Sequence, residues 1–506
     1  MQWLNKIADE AIARKPKGEL LVESGGSPSG TYHFGHLREL VICDAIMLEL
    51  RRRGRQARHI YYVDDLDGLR KIPPNVPKEF EKYLGQPLCD IPAPDGSQKS
   101  YADFFIEGLM KACELLGIEV EFIRSHQKYR AGFFVPAIEK ALQDDKKIKK
   151  ILEEVSGHKL DDTYSPVQIK EGEYLKKRPF VSLDKDQKSL TYLDQDGKQQ
   201  QISYAKGAVK LDWRIDWPAR WWLLEVDIEP AGRDHSTKGG SFDTGQAVCK
   251  DVFGVEGPLA VQYDFINLAG DNKKMSASAG TGLEAAASAQ ILPPEVLRFF
   301  ILRSPPLKRL YFDPTDGLVR LNDEFEDLIS KKDKTNADKQ LIEIATLSKT
   351  DLAVSTVPFS HLCAAYQSSL KDPDQTVELL KRTTDYEIDE AVVKRELEYV
   401  DQWLQNWAPE EVKFELREKP PKDLSVQQKQ FLKDLSEKVQ NAPKDADGEW
   451  FHKAVYEIGQ AIDLEPKAIF QTLYQALIGQ DSGPRAGWFL SILPRDWLIK
   501  RLRLES

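Results

Sequence analysis

The 506-residue chain is short of cysteine: it has five, at positions 43, 89, 113, 249 and 363, and no two stand at metal-ligand spacing. That scarcity excludes a disulfide framework and a zinc knuckle, so the thiols are read as buried and inert. No apolar run approaches the ~18–20 residues that span a bilayer, which excludes an ordinary transmembrane helix and predicts no membrane partner. Positive charge is not in excess either. The 71 Lys and Arg against 81 Asp and Glu leave a formal charge of −10, which argues against indiscriminate coating of nucleic acid but permits a local basic face. There is no internal repeat and no low-complexity tract. A signal-peptide core is also missing, because Trp3, Leu4, Ile7, Ala8 and Ala11 stand at helical spacing with Asp9 and Glu10 between them. The expectation is a mature, cytoplasmic start.

What is present is an alternation of short apolar, β-branched runs with helical stretches. Candidate strands are Glu19–Ser24, Arg58–Asp64, Glu119–Arg124, Trp222–Ile228 and Leu259–Phe265. Leu37, Leu40, Val41, Ala45 and Leu48, followed by Gly54, mark a helix with a C-cap between the first two, so Glu19 to Asp64 reads as a βαβ unit. From about Ser156 to Lys210 the pattern changes to short segments with Asp-Gly turn chemistry, a small antiparallel insertion. Past Ser304 the strand signal fades. Val393, Leu397, Val400 and Leu404, then Ala454, Ile458 and Ile462, fall at helical steps. The predicted fold class is α/β: a split Rossmann-like, doubly wound parallel sheet with a small β-rich insertion, followed by an all-α C-terminal domain. The boundaries expected are 1–155 and 211–305 for the two halves of the sheet domain, 156–210 for the insertion, 306–350 for a connecting stem and 351–506 for the helical domain.

Two loops carry candidate chemistry. The turn after the first strand, ESGGSPSGTYHFGHLRE, has glycines at 25, 26, 30 and 35 that let a ligand approach the backbone, and it leads into a helix N-terminus suited to phosphate. His33 and His36, three apart with Gly35 between them, project together from that first turn. The second loop, LAGDNKKMSASAGTG, sets Lys273 and Lys274 among glycines and serines, as a charge clamp on polyphosphate requires. Alone, the first is also what a Gly-rich connector with a capping histidine looks like, and the second what a solvated surface loop looks like.

Together they resemble the two signatures of class I aminoacyl-tRNA synthetases, in the right order and about 240 residues apart across a split α/β domain. RIDWPARWW, EPAGRDHSTKGGSFDTG, YDFINLAGDNKKMSAS and GPRAGWFLSIL further resemble the class I lysyl-tRNA synthetases, so the likeness spans nearly the whole chain. The resemblance implies ATP-dependent activation of L-lysine to lysyl-adenylate and its transfer to tRNA(Lys), with Mg²⁺ carried by ATP, tRNA bound before activation, and a monomeric enzyme. A class I synthetase for another amino acid such as glutamate is the alternative, as is a non-catalytic RNA-binding paralogue.

By the same resemblance His33, His36 and Lys274 are the catalytic residues, and Gly35, Lys273, Lys274, Met275, Ser276 and Ser278 contact ATP. Ala277 departs from the family pattern, where a second lysine is usual, and Phe34 replaces an aliphatic spacer. Glu23 stands where the glutamyl relatives have an arginine for the substrate carboxylate, the charge reversal a lysine pocket requires. Gly25, Ser27, Asp64, Trp217, Asp234, His235 and Tyr263 complete the expected lysine site, although Trp217 and Tyr263 also suit a core. Asp65 and Asp67 are either turn acids or aids to Mg²⁺. No metal ligand set and no structural zinc is expected, because Asp161–Lys210 contains no cysteine. For the tRNA, RRRGRQAR at 51–58, KKIKK at 146–150 and the surroundings of Arg485, Trp488, Trp497 and Arg501 are candidates, with solvated helix ends and core packing as the other readings.

Overall fold

The computed structural model describes residues 1–161, 164–269, 283–410, 412–417, 419–421, 423–443 and 446–505. The chain divides into two compact units. One comprises Met1–Gln290, Leu297–Phe312 and Thr335–Ser348; the other comprises Ile291–Val296, Asp313–Lys334 and Lys349–Ser506. The segment 306–350 is thus divided between them, and 156–210 belongs to the first.

In the first unit the strands are β1 (Leu20–Gly26), β2 (Ala57–Val63) and β3 (Glu121–Arg124), then β4 (Val167–Glu171), β5 (Tyr174–Lys177), β6 (Phe180–Asp184), β7 (Ser189–Leu193), β8 (Gln199–Ser203) and β9 (Val209–Leu211), and finally β10 (Ile228–Gly232), β11 (Leu259–Tyr263), β12 (Ile266–Leu268) and β13 (Leu310–Phe312). A parallel sheet runs in the order β11-β10-β1-β2-β3. It is the doubly wound α/β arrangement, and its strand order reverses between β1 and β10, where a crevice opens beyond the carboxyl ends. β1 reads as a continuous apolar run, LLV, because both faces of the strand are covered. Helix α1 (Gln2–Arg14) buries Leu4, Ala8 and Ala11 along one face. Helix α2 (Phe34–Arg52) follows β1 and ends before Gly54, which takes a φ of 78°.

One expected strand is corrected. The aromatic run before Ile228 lies in a helix, Trp213–Leu224, capped by the Asp212 side chain and closed at Glu225 in the left-handed region; the strand begins only at Ile228. Aromatic residues favour strands on average, but here the cap and the burial of Ile215, Ala219 and Trp221 decide.

The insertion folds as two three-stranded antiparallel sheets, β5-β4-β9 and β6-β7-β8. Its buried Val167, Ile169, Leu190, Tyr192, Val209 and Leu211 join the core formed by Phe134, Ile138 and Ile215. The hairpin between β7 and β8 turns at Gly197 with a φ of 75°. The second unit is helical apart from its loops among the described residues, and Val393, Leu397, Val400 and Leu404 are all buried along one helix, Glu390–Asn406. No single helix among the described residues is long and apolar enough to cross a membrane.

Candidate active site

A cavity of about 390 Å³ opens at the reversal of strand order. Gly25 and Gly26 from β1, Asp64 after β2, Pro230, Ala231 and Gly232 from β10 and Tyr263 from β11 line it. Gly25 is glycine for a steric reason: a Cβ there would stand 2.8 Å from the Tyr62 carbonyl oxygen. His33, His36, Ser27, Gly35, Trp217, Asp234 and His235 also line the cavity. Ten of the residues singled out from sequence are thus gathered around one space. Lys273, Lys274, Met275, Ser276 and Ser278 lie outside the described residues. Their flanks are fixed: the Ala269 N–H donates to Phe312 O at 2.8 Å, the Phe34 N–H donates to Leu283 O at 2.8 Å, and His33 bridges Glu284.

The two histidines form a reciprocal cap on α2. The Gly35 N–H donates to His33 Nδ1 at 3.1 Å, and the His33 N–H donates to His36 Nδ1 at 3.1 Å. Their ring centroids are 4.0 Å apart. At this helix start, read from sequence as suited to phosphate, the Phe34, Gly35 and His36 N–H groups are all engaged within the chain, by Leu283 O, His33 Nδ1 and His33 O. With Nδ1 accepting in each ring, the neutral imidazole carries its proton on Nε2. Gly35 leaves room for the His33 ring, which a Cβ would meet at 2.8 Å. Phe34, the unusual spacer, is fully buried against Phe300 and Phe312.

Negative charge dominates the wall. Glu39, Asp64, Asp67, Asp216, Glu229 and Asp234 line the cavity, with Arg70 and Arg220 as the permanent cations among the described residues. Glu39 was not singled out from sequence. It lies three residues beyond His36, and it accepts from the Gly25 N–H at 3.1 Å and from the Tyr263 hydroxyl. Burial pushes its carboxyl up to about 7, against the pull of those two donors. Glu229 was also missed. It accepts from Trp217 Nε1 at 2.5 Å and from Trp221 Nε1, so it orients the indole that borders the cavity. Glu23 lies behind the wall, fully buried, with Arg220 Nε 3.6 Å from Oε1. Burial raises both Glu23 and Asp64 to about 7, and Arg220 opposes the rise. Glu39 and Glu229 escape a motif search, because nothing in local spacing distinguishes a buried acid from a solvated one, and Glu23 and Asp64 are reached through family resemblance alone.

Other candidates are placed more prosaically. Asp65 is fully buried and accepts from Arg124 Nε at 2.6 Å and the His126 N–H at 2.8 Å, so it braces a turn. Asp67 pairs with Lys210 at 2.9 Å. Among the described residues no group of three or more His, Cys, Asp or Glu could hold a metal ion. The arginines at 51–58 are largely compensated inside the fold: Arg51 pairs with Glu119, Arg52 and Arg53 with Glu49, and Arg58 with Glu19 and Glu121. In the second unit Trp488 stacks on His361 with centroids 4.9 Å apart, and both line a cavity of about 560 Å³ with Arg320 and Arg485. Arg501 is buried and donates to Arg417 O, which is a packing role.

Residues 1–350 match the family model described as tRNA synthetases class I (K), and residues 395–504 match that of an anticodon binding domain. The chain is 33% identical over 509 residues to a lysine--tRNA ligase of Archaeoglobus fulgidus, covering 99% of each chain. It is 35% identical over 532 residues to lysine--tRNA ligase 1 of Methanosarcina acetivorans, covering 100% of this chain and 98% of the relative. To the lysine--tRNA ligase of Pyrococcus horikoshii it is 33% identical over 525 residues, covering 100% of both.

Proposed function

The chain belongs to the class I tRNA synthetases of the lysine type and is an aminoacyl-tRNA ligase, and from that premise we propose how its cavity works. L-lysine and ATP bind together beyond the carboxyl ends of the sheet. The lysine carboxylate attacks the α-phosphorus and pyrophosphate leaves; the terminal 2′-hydroxyl of tRNA(Lys) then attacks the carbonyl carbon of the lysyl-adenylate, forming the ester and releasing AMP. The enzyme acts as a cytoplasmic monomer. The observation that carries this reading is the acid-rich cavity set directly against the capped histidine pair.

Lysine brings two ammonium groups and one carboxylate. Glu39, Asp64 and Asp216 on the wall, with Glu23 behind it, supply the complementary charge, and Trp217 and Tyr263 flank the aliphatic stem. A glutamate substrate would add a second negative group to this wall, which opposes the alternative amino acid. His33 and His36 donate from Nε2 to phosphate oxygens as charge develops in the five-coordinate state. Lys274 holds the pyrophosphate group. Mg²⁺, typical of the family, would be carried by the phosphates of ATP and would offset their charge. In the helical unit, Trp488 on His361, beside Arg320 and Arg485, suits an unstacked anticodon base.

The test is ATP–pyrophosphate exchange with purified enzyme, total tRNA and lysine, glutamate or arginine in turn. Exchange is expected with lysine alone and is abolished by Lys274→Ala. Exchange with glutamate would overturn the specificity, and none with any amino acid would favour an RNA-binding paralogue.

A further inference from the structure

Arg220 occupies an unusual position in the wall. It comes from the helix Trp213–Leu224, is 6% exposed, and its guanidinium lies over the Tyr62 ring at 4.3 Å. Three acids from three elements converge on it: Glu23 of β1 at 3.6 Å, Asp64 beyond β2 at 3.2 Å and Asp216 of its own helix at 3.6 Å. These acids differ in depth. The Glu23 side chain is fully buried, whereas that of Asp64 is 18% exposed and lines the cavity. The guanidinium is thus a layer between a deep acid and a surface acid.

The pairing is ionic rather than saturated. Arg220 Nη1 is 3.3 and 3.2 Å from the two Asp64 oxygens, the long limit of a hydrogen bond, while Arg220 Nε, both Glu23 oxygens and Asp216 Oδ1 have no hydrogen-bond partner. A carboxylate oxygen accepts from more than one donor, so Asp64 retains capacity toward the cavity. Lys210 holds the other side of the cluster, 3.2 Å from Asp216 Oδ2 and 2.9 Å from Asp67. Tyr62 covers one face of the guanidinium and Glu23, Asp64 and Asp216 stand along its Nε–Nη1 edge, while Arg220 also borders the cavity. A substrate carboxylate drawn to it would stand beside Asp64 and Asp216, which also line the cavity, and be repelled by them.

We propose that Arg220 is a positioning residue for the amino-acid substrate: held over Tyr62 and shared by Glu23, Asp64 and Asp216, it fixes the Asp64 carboxylate at the cavity surface as the acceptor of a substrate ammonium group. Arg220 acts through that acid and does not bind the substrate carboxylate. This deepens the lysine-activating reading and rests on it. The charge consequence follows from the groups around it. Burial raises Asp64 and Glu23, with Asp67, Asp216 and Glu39 adding to the rise, and Arg220 and Lys210 pull in the other direction. Glu229, Tyr62 and Tyr129, whose hydroxyl donates to Asp216 Oδ2, also face this cluster. Without Arg220 the cluster keeps Lys210 but loses the cation shared by Glu23, Asp64 and Asp216, so protonation is favoured to higher pH.

The experiment uses the full-length enzyme with total tRNA and follows exchange in Arg220→Met and Arg220→Lys across pH, with cadaverine (lysine without its carboxylate) as a competitor. In Arg220→Met the lysine KM should rise about tenfold or more near neutral pH, as expected for a charged hydrogen bond lost. The ATP KM should stay within about twofold, because no ATP contact is altered. The acid limb of kcat/KM for lysine should move to higher pH, the cadaverine inhibition constant should rise in step with the lysine KM, and Arg220→Lys should recover most of the loss. A cadaverine constant that stays at the wild-type value while the lysine KM rises would show that Arg220 holds the carboxylate, and would overturn the proposal. An unchanged lysine KM would also overturn it. Should Arg220→Met fail to fold, Asp64→Asn serves: cadaverine bound as tightly as by wild type removes Asp64 as acceptor. Wild-type exchange with lysine is the internal control, since its absence would sink the activity itself rather than the role of Arg220.

Discussion

Glu39 shows what a single residue gains from its surroundings. On α2 it lies one turn beyond His36, and in the fold it joins β1 through Gly25 and β11 through Tyr263. With its carboxyl raised to about 7 by burial, it is ready to ionise when a cation arrives. Glu39→Gln keeps the shape and removes the charge, so the lysine KM is expected to rise at least tenfold, a typical scale for a charged hydrogen bond lost, with the ATP KM little changed. Steady-state exchange kinetics measure both; equal rises in the two constants would argue against a lysine-specific role. His33, His36 and Gly35 were legible in sequence because their chemistry depends on local spacing along one helical turn. Glu39, Glu229 and Arg220 were not, because burial and partners from distant strands make them special.

At the scale of elements, α2 joins packing to chemistry. Its cap is made by the residues that face the cavity, so the helix start and the histidine geometry cannot vary independently. Gly35→Ala separates the two. Alanine favours the helix, yet its Cβ would stand 2.8 Å from the His33 ring and displace it. The expected result is exchange activity reduced by about two orders of magnitude, the scale of losing one positioned donor, with the thermal midpoint moved by only a few degrees. Activity within twofold of wild type would mean that the ring position is not critical. The helix Trp213–Leu224 shows the opposite limit of local reading. Its aromatic content suggested a strand, while the cap at Asp212 and the apolar face toward the core made a helix that carries Trp217 and Arg220 to the cavity.

For the whole molecule, the buried acids set the response to pH. Glu23, Asp64 and Glu39 in the first unit and Glu326 in the second are raised to about 7, and Glu396 to about 8, all chiefly by burial. An acid raised on folding contributes stability that is complete below its ordinary range near 4 and is lost as pH rises through the folded value. Thermal unfolding should therefore show a lower midpoint at pH 8.5 than at pH 6.5, with saturating lysine narrowing the gap because its ammonium groups favour the ionised acids. A midpoint that climbs steadily over that interval would contradict the assignment. The sequence by itself determined the α/β class, the insertion, the helical C-terminal region and the histidine turn, since periodicity and close spacing are properties of neighbouring residues. Only the tertiary structure decided which carboxylates face one another across the reversal of strand order and which cation they share. Those relations join β1, β2, β10, β11 and two helices, and their energies come from desolvation, which no stretch of chain undergoes until the others have packed around it.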